Sequence, residues 1–201
     1  GKVVIIGGGV AGLNAAQMAI GLHADVTVLD ISAHKLIEID QTYQGRIKTA
    51  YASKSAIAAA VRDVDLVIGA VLIPGAAAPK LVTRDMVKSM KTGAVMVDIA
   101  IDQGGCFETS RPTSHQDPIY IEDGVVHYCV TNMPGAVART SALALNNATL
   151  PFVLKMVRQG VAGALTHDPH LRAGLNIQRG KITDRAVAEA LNLDYNGLET
   201  L

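Results

Sequence analysis

The chain has 201 residues, 49% of them hydrophobic and 18% charged, enough for one well-filled core or for one domain and part of another. Eighteen Lys and Arg balance eighteen Asp and Glu, and the aromatics are two Phe, five Tyr and no Trp. Zero net charge therefore gives no electrostatic reason to expect nucleic acid or an anionic membrane as a partner, and so few aromatics argue against a base-stacking surface. Cys106 and Cys129 are too few for a disulfide framework and read as free thiols of a reducing cytoplasm. The six histidines show no H-x-x-x-H or H-E-x-x-H spacing, so no bound metal is expected. No apolar run reaches membrane-spanning length.

The first strong signal is the opening stretch. Lys2–Ile6 is a β-branched run with the composition of a buried parallel strand. Gly7, Gly9 and Gly12 follow as G-x-G-x-x-G, with Val10 and Ala11 between the last two. A helix is expected over Leu13–Leu22 and a second strand over Asp25–Leu29, ending in Asp30. Gly7 permits the tight turn, Gly9 admits a pyrophosphate to the backbone, and Gly12 allows close helix–sheet packing. Asp30 lies eighteen residues beyond Gly12, where a carboxylate can accept from the adenine ribose hydroxyls and repel a 2′-phosphate. Strand, turn, helix, strand and acid agree, so Gly7, Gly9, Val10, Gly12 and Asp30 are read as a dinucleotide site selective for NAD.

Further along, Ser32 caps an expected helix to Thr42, and Gly45 ends it. Arg46–Tyr51 reads as a third strand, Lys54–Arg62 as an alanine-rich helix and Asp65–Ala70 as a fourth strand followed by a turn at Ile73-Pro74-Gly75. Thr83–Met90 reads as a short helix stopped by Gly93, and Ala94–Ile101 as a fifth strand before Gly104-Gly105. A long polar loop, Cys106–Pro118, precedes a sixth strand at Val125–Val130. Strands alternating with helices at intervals of about twenty residues define a Rossmann-type, doubly wound parallel α/β sheet.

Composition changes near residue 136. Ala136–Gln159 is expected to be one long helix, kinked at Pro151, with apolar residues spread around it. Thr183–Leu191 is expected to be a further helix capped by Thr183. Residues 136–201 are too few for a second core. The expected organisation is an NAD domain over 1–135 and a helical return, 136–201, into a split domain.

Several segments then carry a likeness: VVIIGGGVAG, VTVLD, DLVIGAVLIPGAAAPKLVT, VDIAIDQGGCFETSRPT, YCVTNMPGAV and ALNLDY. Together they closely resemble the alanine dehydrogenase and nicotinamide nucleotide transhydrogenase family, and IDQGGCFE points to its alanine dehydrogenase branch. That resemblance implies reversible NAD-dependent conversion of L-alanine to pyruvate and ammonia by a cytoplasmic homo-oligomer, commonly a hexamer. It places Asp30 and Lys35 near the adenine ribose and Val71 and Leu72 beside the cofactor. It also places Ile99 to Asp102 and Val130, Asn132 and Met133 on the nicotinamide side. Ala52 stands where relatives often carry serine. The family's dinucleotide domain is inserted in a catalytic domain whose amino-terminal segment supplies an arginine, a lysine and a histidine to the substrate. Those three are expected to lie outside this sequence, so that the chain alone binds NAD without turning over alanine. A membrane-coupled transhydrogenase component and a non-catalytic NAD sensor are the competing readings.

Read residue by residue, Asp102 is either a turn aspartate before Gly104-Gly105 or a polar group held at a strand's carboxyl end; the resemblance makes it the catalytic acid/base. Asp98, inside VMVDIAI, reads as a structurally paired carboxylate. Arg111 and Arg139 read as surface and helix-start residues, Cys106 as unreactive, and Asn132 as a loop residue able to contact a ribose.

Overall fold

In a computed structural model that describes residues 1–73 and 78–197, the chain forms two compact units. The first comprises Gly1–Ile73 and, among the later described residues, 78–133. Its parallel strands are β1 (Lys2–Ile6), β2 (Asp25–Asp30), β3 (Lys48–Tyr51), β4 (Leu66–Gly69), β5 (Val95–Asp98) and β7 (Val125–Tyr128). An antiparallel strand, β6 (Ile119–Glu122), pairs with β7 at the far edge, giving the order β3-β2-β1-β4-β5-β7-β6. The helices are α1 (Val10–Gly21), α2 (Ala33–Tyr43), α3 (Lys54–Val61) and α4 (Arg84–Lys88).

The side chains of β1 show why the sheet is covered on both faces. Val3 and Ile5 enter one core with Val26, Val28, Ala16 and Ala19 of α1, and Ile39 of α2. Val4 and Ile6 enter the other with Leu29, Ile57 and Val61 of α3, and Met86 and Val87 of α4. Period-two alternation in a wholly apolar strand therefore feeds two cores. Each fully buried side chain of this size contributes about 1.5–3 kcal/mol. The chain reverses its direction of winding between β1 and β4, the place where open α/β sheets leave a crevice.

Several boundaries differ from the sequence reading. The fifth strand stops at Asp98 instead of Ile101, because the Asp98 carboxylate caps a 3-10 turn, Ile99–Gln103. A hydrophobic run continues through that turn, so composition conceals the change. Strand β6 was not anticipated; the signal was Asp123-Gly124, both with positive φ (50° and 79°), the dipeptide that favours a two-residue hairpin turn. The strand expected over Val125–Val130 ends at Tyr128. The expected Ile73-Pro74-Gly75 turn falls at residues 74 and 75, outside the described residues.

The second unit is built on α5 (Ala138–Gln159), which contains Pro151 and has no buried residue. Gly160, at φ 71°, leads into α6 (Val161–His167), followed by α7 (Pro169–Arg172). A two-stranded hairpin, β8 (Ile177–Gln178) and β9 (Lys181–Ile182), precedes α8 (Arg185–Leu191). The sequence reading found neither α6, α7 nor the hairpin, since each is too short to show a period. Asp168 caps α7 and pairs with Lys155 at 2.6 Å, which holds its carboxyl down at about 2. The cap of α8 is Asp184, not Thr183: Thr183 is buried and spends its hydroxyl on the Leu175 carbonyl.

Two consequences can be measured. A Cβ at Gly12 would overlap the carbonyl oxygen of Gly7, a backbone atom that cannot swing aside. Gly12→Ala is expected to cost about 3 kcal/mol or more, read as a lower denaturant midpoint. His127 is fully buried and stacks on Tyr120 at 4.9 Å; its Nε2 meets the Thr109 hydroxyl and its Nδ1 the Val125 carbonyl. Burial lowers its pKa below the ordinary 6.5. The unfolded chain then binds a proton that the native state refuses, so stability is complete above about pH 6.5 and falls as pH drops below it, by at most about 1.4 kcal/mol per unit. Unfolding titrations from pH 7.5 to 5 should show that slope, flattened in His127→Gln.

Candidate functional site

The residues singled out from sequence collect at one edge of the first unit, because each follows the carboxyl end of a parallel strand. Gly7, at φ 107°, leaves β1 with its N–H on the Leu29 carbonyl. Gly9 caps α1 without any side-chain hydrogen bond, and a Cβ there would meet nothing within 4 Å. The first N–H groups of a twelve-residue helix thus face open space beside bare backbone, which is the cradle a pyrophosphate requires. Val10, the first helical residue, is 83% exposed.

Asp30 ends β2 half-buried. Its Oδ2 accepts from the Gly8 N–H at 2.7 Å and its Oδ1 from the Ser32 N–H at 2.8 Å. These two bonds orient the carboxylate and tie it to the glycine turn, and each oxygen retains a lone pair for a ribose hydroxyl. Lys35, in the first turn of α2, is exposed, and its N–H is capped by the Ser32 hydroxyl. Ala52 follows β3 with its N–H on the Asp30 carbonyl. Val71 and Leu72 follow β4 half-buried and exposed, respectively.

The 3-10 turn after β5 carries Ile99, half-buried, and Asp102, exposed. Past β7, Val130 is buried and Asn132 adopts φ 52°. The Asn132 N–H reaches the Asp102 Oδ1 at 3.4 Å, so the two loops meet at these residues. Met133 opens a second 3-10 turn, Met133–Val137. His115 was not anticipated: from the long polar loop its Nε2 donates to the Asn132 carbonyl at 3.0 Å. Thr113 bridges to Val130 beside it, with its N–H on the Cys129 carbonyl. A run of polar residues offered no period from which to foresee that pairing.

Asp98 has a partner set different from an ion pair. It is fully buried, and its oxygens accept from the N–H groups of Ala100, Cys106 and Phe107 and from the hydroxyl of Ser110 at 2.5 Å. The Cys106 thiol lies 3.5 Å from the same carboxylate. Burial, then the neighbouring Asp98 charge, pushes that thiol far above its usual range, so it is not a nucleophile near neutral pH. Arg111 stacks over the Tyr120 ring at 3.9 Å. Arg139 lies in the first turn of α5, exposed. Among the described residues no cluster of His, Cys, Asp or Glu could hold a metal ion, and no helix is long and apolar enough to cross a membrane.

Comparison with known proteins adds the family. Residues 1–185 match the family model described as alanine dehydrogenase/PNT, C-terminal domain. The chain is 62% identical over 194 residues to an alanine dehydrogenase of Halomonas elongata, covering 96% of this chain and 52% of that protein. It is 54% identical over 200 residues to alanine dehydrogenase 2 of Staphylococcus aureus, covering 99% of this chain and 54% of the relative. Among solved structures, an L-alanine dehydrogenase superposes with a TM-score of 0.84 at 49% identity, covering 96% of this chain and 53% of that one. A transhydrogenase from Sinorhizobium meliloti superposes at 0.68 and 32% identity, over 78% of this chain and 44% of its own. The chain thus spans about half the length of the relatives it matches. By the family match and by the fold, this chain belongs to the alanine dehydrogenase/PNT C-terminal domain family.

Proposed function

We propose that the chain is the NAD-binding part of an L-alanine dehydrogenase, an enzyme that oxidises L-alanine to pyruvate and ammonia. The observation that carries this reading is the meeting of Asp102 and Asn132 at the carboxyl edge of the same sheet that presents the Gly7–Gly12 cradle and Asp30. Bound at this edge, NAD would supply the acceptor for the hydride of the alanine Cα. The residues of this chain do the rest of the work assigned to them here. The uncapped start of α1 holds the pyrophosphate, with Gly7, Gly9, Val10 and Gly12 as its backbone. Asp30 takes the adenine ribose hydroxyls, with Lys35 nearby, and Val71, Leu72, Ile99, Val130, Asn132 and Met133 line the remaining course.

Asp102 is the catalytic residue in this reading. Its exposed carboxylate takes the proton that the substrate ammonium loses as the imine forms and passes it to solvent. It then takes a proton from the water that adds to give the carbinolamine and returns that proton to the nitrogen, and the carbinolamine hydroxyl proton leaves with the ammonia as ammonium. The α-carboxylate of alanine needs a cation, which Asp102 cannot be. The family resemblance assigns that anchor to the half of the relatives' length that this chain does not span. The same view makes the protein a cytoplasmic homo-oligomer, supported by the family resemblance and by the exposed Leu143, Leu145 and Val157 of α5. A transhydrogenase component ranks second, on the lower likeness to the Sinorhizobium structure.

Alanine-dependent NADH formation by the intact protein tests the reading; hydride exchange between two nucleotides without any response to alanine would replace it with the transhydrogenase. Calorimetric titration should show NAD bound more tightly than NADP. Asp30→Ala should weaken NAD by about 1.5–3 kcal/mol for each charge-assisted bond lost, and equal affinities in the wild type would mean that Asp30 does not face the ribose. Asp102→Asn should lower kcat about 10²- to 10⁴-fold while the NAD dissociation constant and the melting temperature stay close to wild type. A loss confined to NAD binding would remove Asp102 from proton transfer.

A further inference from the structure

The turn that follows Asp102 is held from two sides, and one of the two holders is an exposed lysine. Gly104 and Gly105 both lie in the left-handed region, at φ 87° and 75°. On the inner side, a Cβ on Gly105 would come within 2.7 Å of the Asp98 Oδ2 and 2.8 Å of the Ser110 Cβ. On the outer side, the Lys80 Nζ donates to the Gly104 carbonyl at 2.6 Å and to the Gly105 carbonyl at 2.8 Å. The backbone around Lys80 is registered on the same loop: the Ala78 N–H reaches the Gln103 carbonyl at 3.0 Å, and the Leu81 N–H the Cys106 carbonyl at 2.8 Å.

A five-residue 3-10 turn needs such support. The hydrogen bonds of a 3-10 turn are generally poorer in geometry than those of an α-helix. Although the Gly104 and Gly105 N–H groups close on the Ile101 and Ala100 carbonyls, two successive glycines restrain the backbone least of all residues. An ammonium with three donors, two of them spent on adjacent carbonyls, removes that freedom at the point where Asp102 is carried. We propose that Lys80 is a positioning residue for Asp102, fixing from the solvent side the Gly104-Gly105 turn that Asp98 fixes from within. This rests on Asp102 being the catalytic carboxylate. Lys80 touches no reacting atom in this scheme; it narrows the range over which the Asp102 carboxylate and its Asn132 contact are sampled.

The test compares Lys80→Met, which keeps the stem and loses the donors, with Lys80→Arg, which restores donors, in the intact protein. In Lys80→Met, amide exchange at Gly104, Gly105 and Asn132 should accelerate by about tenfold or more, with β1 and β4 amides unchanged. The kcat for alanine oxidation should fall about ten- to hundredfold, while the NAD dissociation constant by calorimetry stays within about twofold and the melting temperature within about 2 °C. Lys80→Arg should recover most of the lost kcat. Unchanged exchange at the three amides, a kcat within about twofold of wild type, or a joint loss of melting temperature, NAD affinity and kcat each overturns the proposal. Should the wild-type protein fail to oxidise alanine, the functional reading falls, and the amide exchange alone still decides whether Lys80 holds the turn.

Discussion

The close approach of α1 to β1 is the constraint on which the rest of the first unit depends. Gly12 sits so near the Gly7 carbonyl that no other residue fits there. That contact lays the helix against the sheet with its first turn at the carboxyl end of β1, and it leaves the opening N–H groups without an internal partner. Ala16 and Ala19 of the same helix are buried against the sheet by that close seating. Stability and function thus draw on the same missing Cβ.

Two carboxylates then organise the edge, by the same chemistry at different depths. Asp30 and Asp98 both terminate parallel strands, and both are held by backbone N–H donors from the loop that follows or faces them. Asp30 remains half-buried, with lone pairs to offer outward. Asp98 is sealed, and its capacity is used up by Ala100, Cys106, Phe107 and Ser110. A buried carboxylate without a cation is tolerable only under such complete satisfaction. Its consequence is a loop from Ile99 to Ser110 whose course is dictated by one side chain.

The far edge of the sheet shows a different use of polar groups. Tyr120, His127 and Thr109 form a closed set, with the Tyr120 hydroxyl donating to the Thr109 carbonyl and accepting from the Arg111 N–H. Those bonds join β6 and β7 to the loop between the 3-10 turn and the hairpin. The same loop reaches on to His115 and the Asn132 carbonyl, so the antiparallel addition at the sheet edge is continuous with the walls of the candidate site.

The sequence by itself determined the parts whose reasons are local. An apolar strand, a glycine spacing and an acid at a set distance specify a dinucleotide turn, because backbone conformation and close packing permit few other residues. Helix caps at Ser32 and strand identities in β1, β2 and β4 follow in the same way, from hydroxyl chemistry and β-branched runs. Only the tertiary structure decided the remainder. Asp98 ends β5 by capping the turn at Ala100, and its burial is completed by donors eight to twelve residues further along that fold back onto it, a closure that no local period encodes. Asp184 takes the cap of α8 because burial commits Thr183 to the Leu175 carbonyl. Lys80 and His115 gain their places from pairings with carbonyls twenty-four and seventeen residues away. A lysine or a histidine in a polar run looks the same whether it faces solvent or holds a turn, and the difference is made by which strand ends the sheet brings side by side.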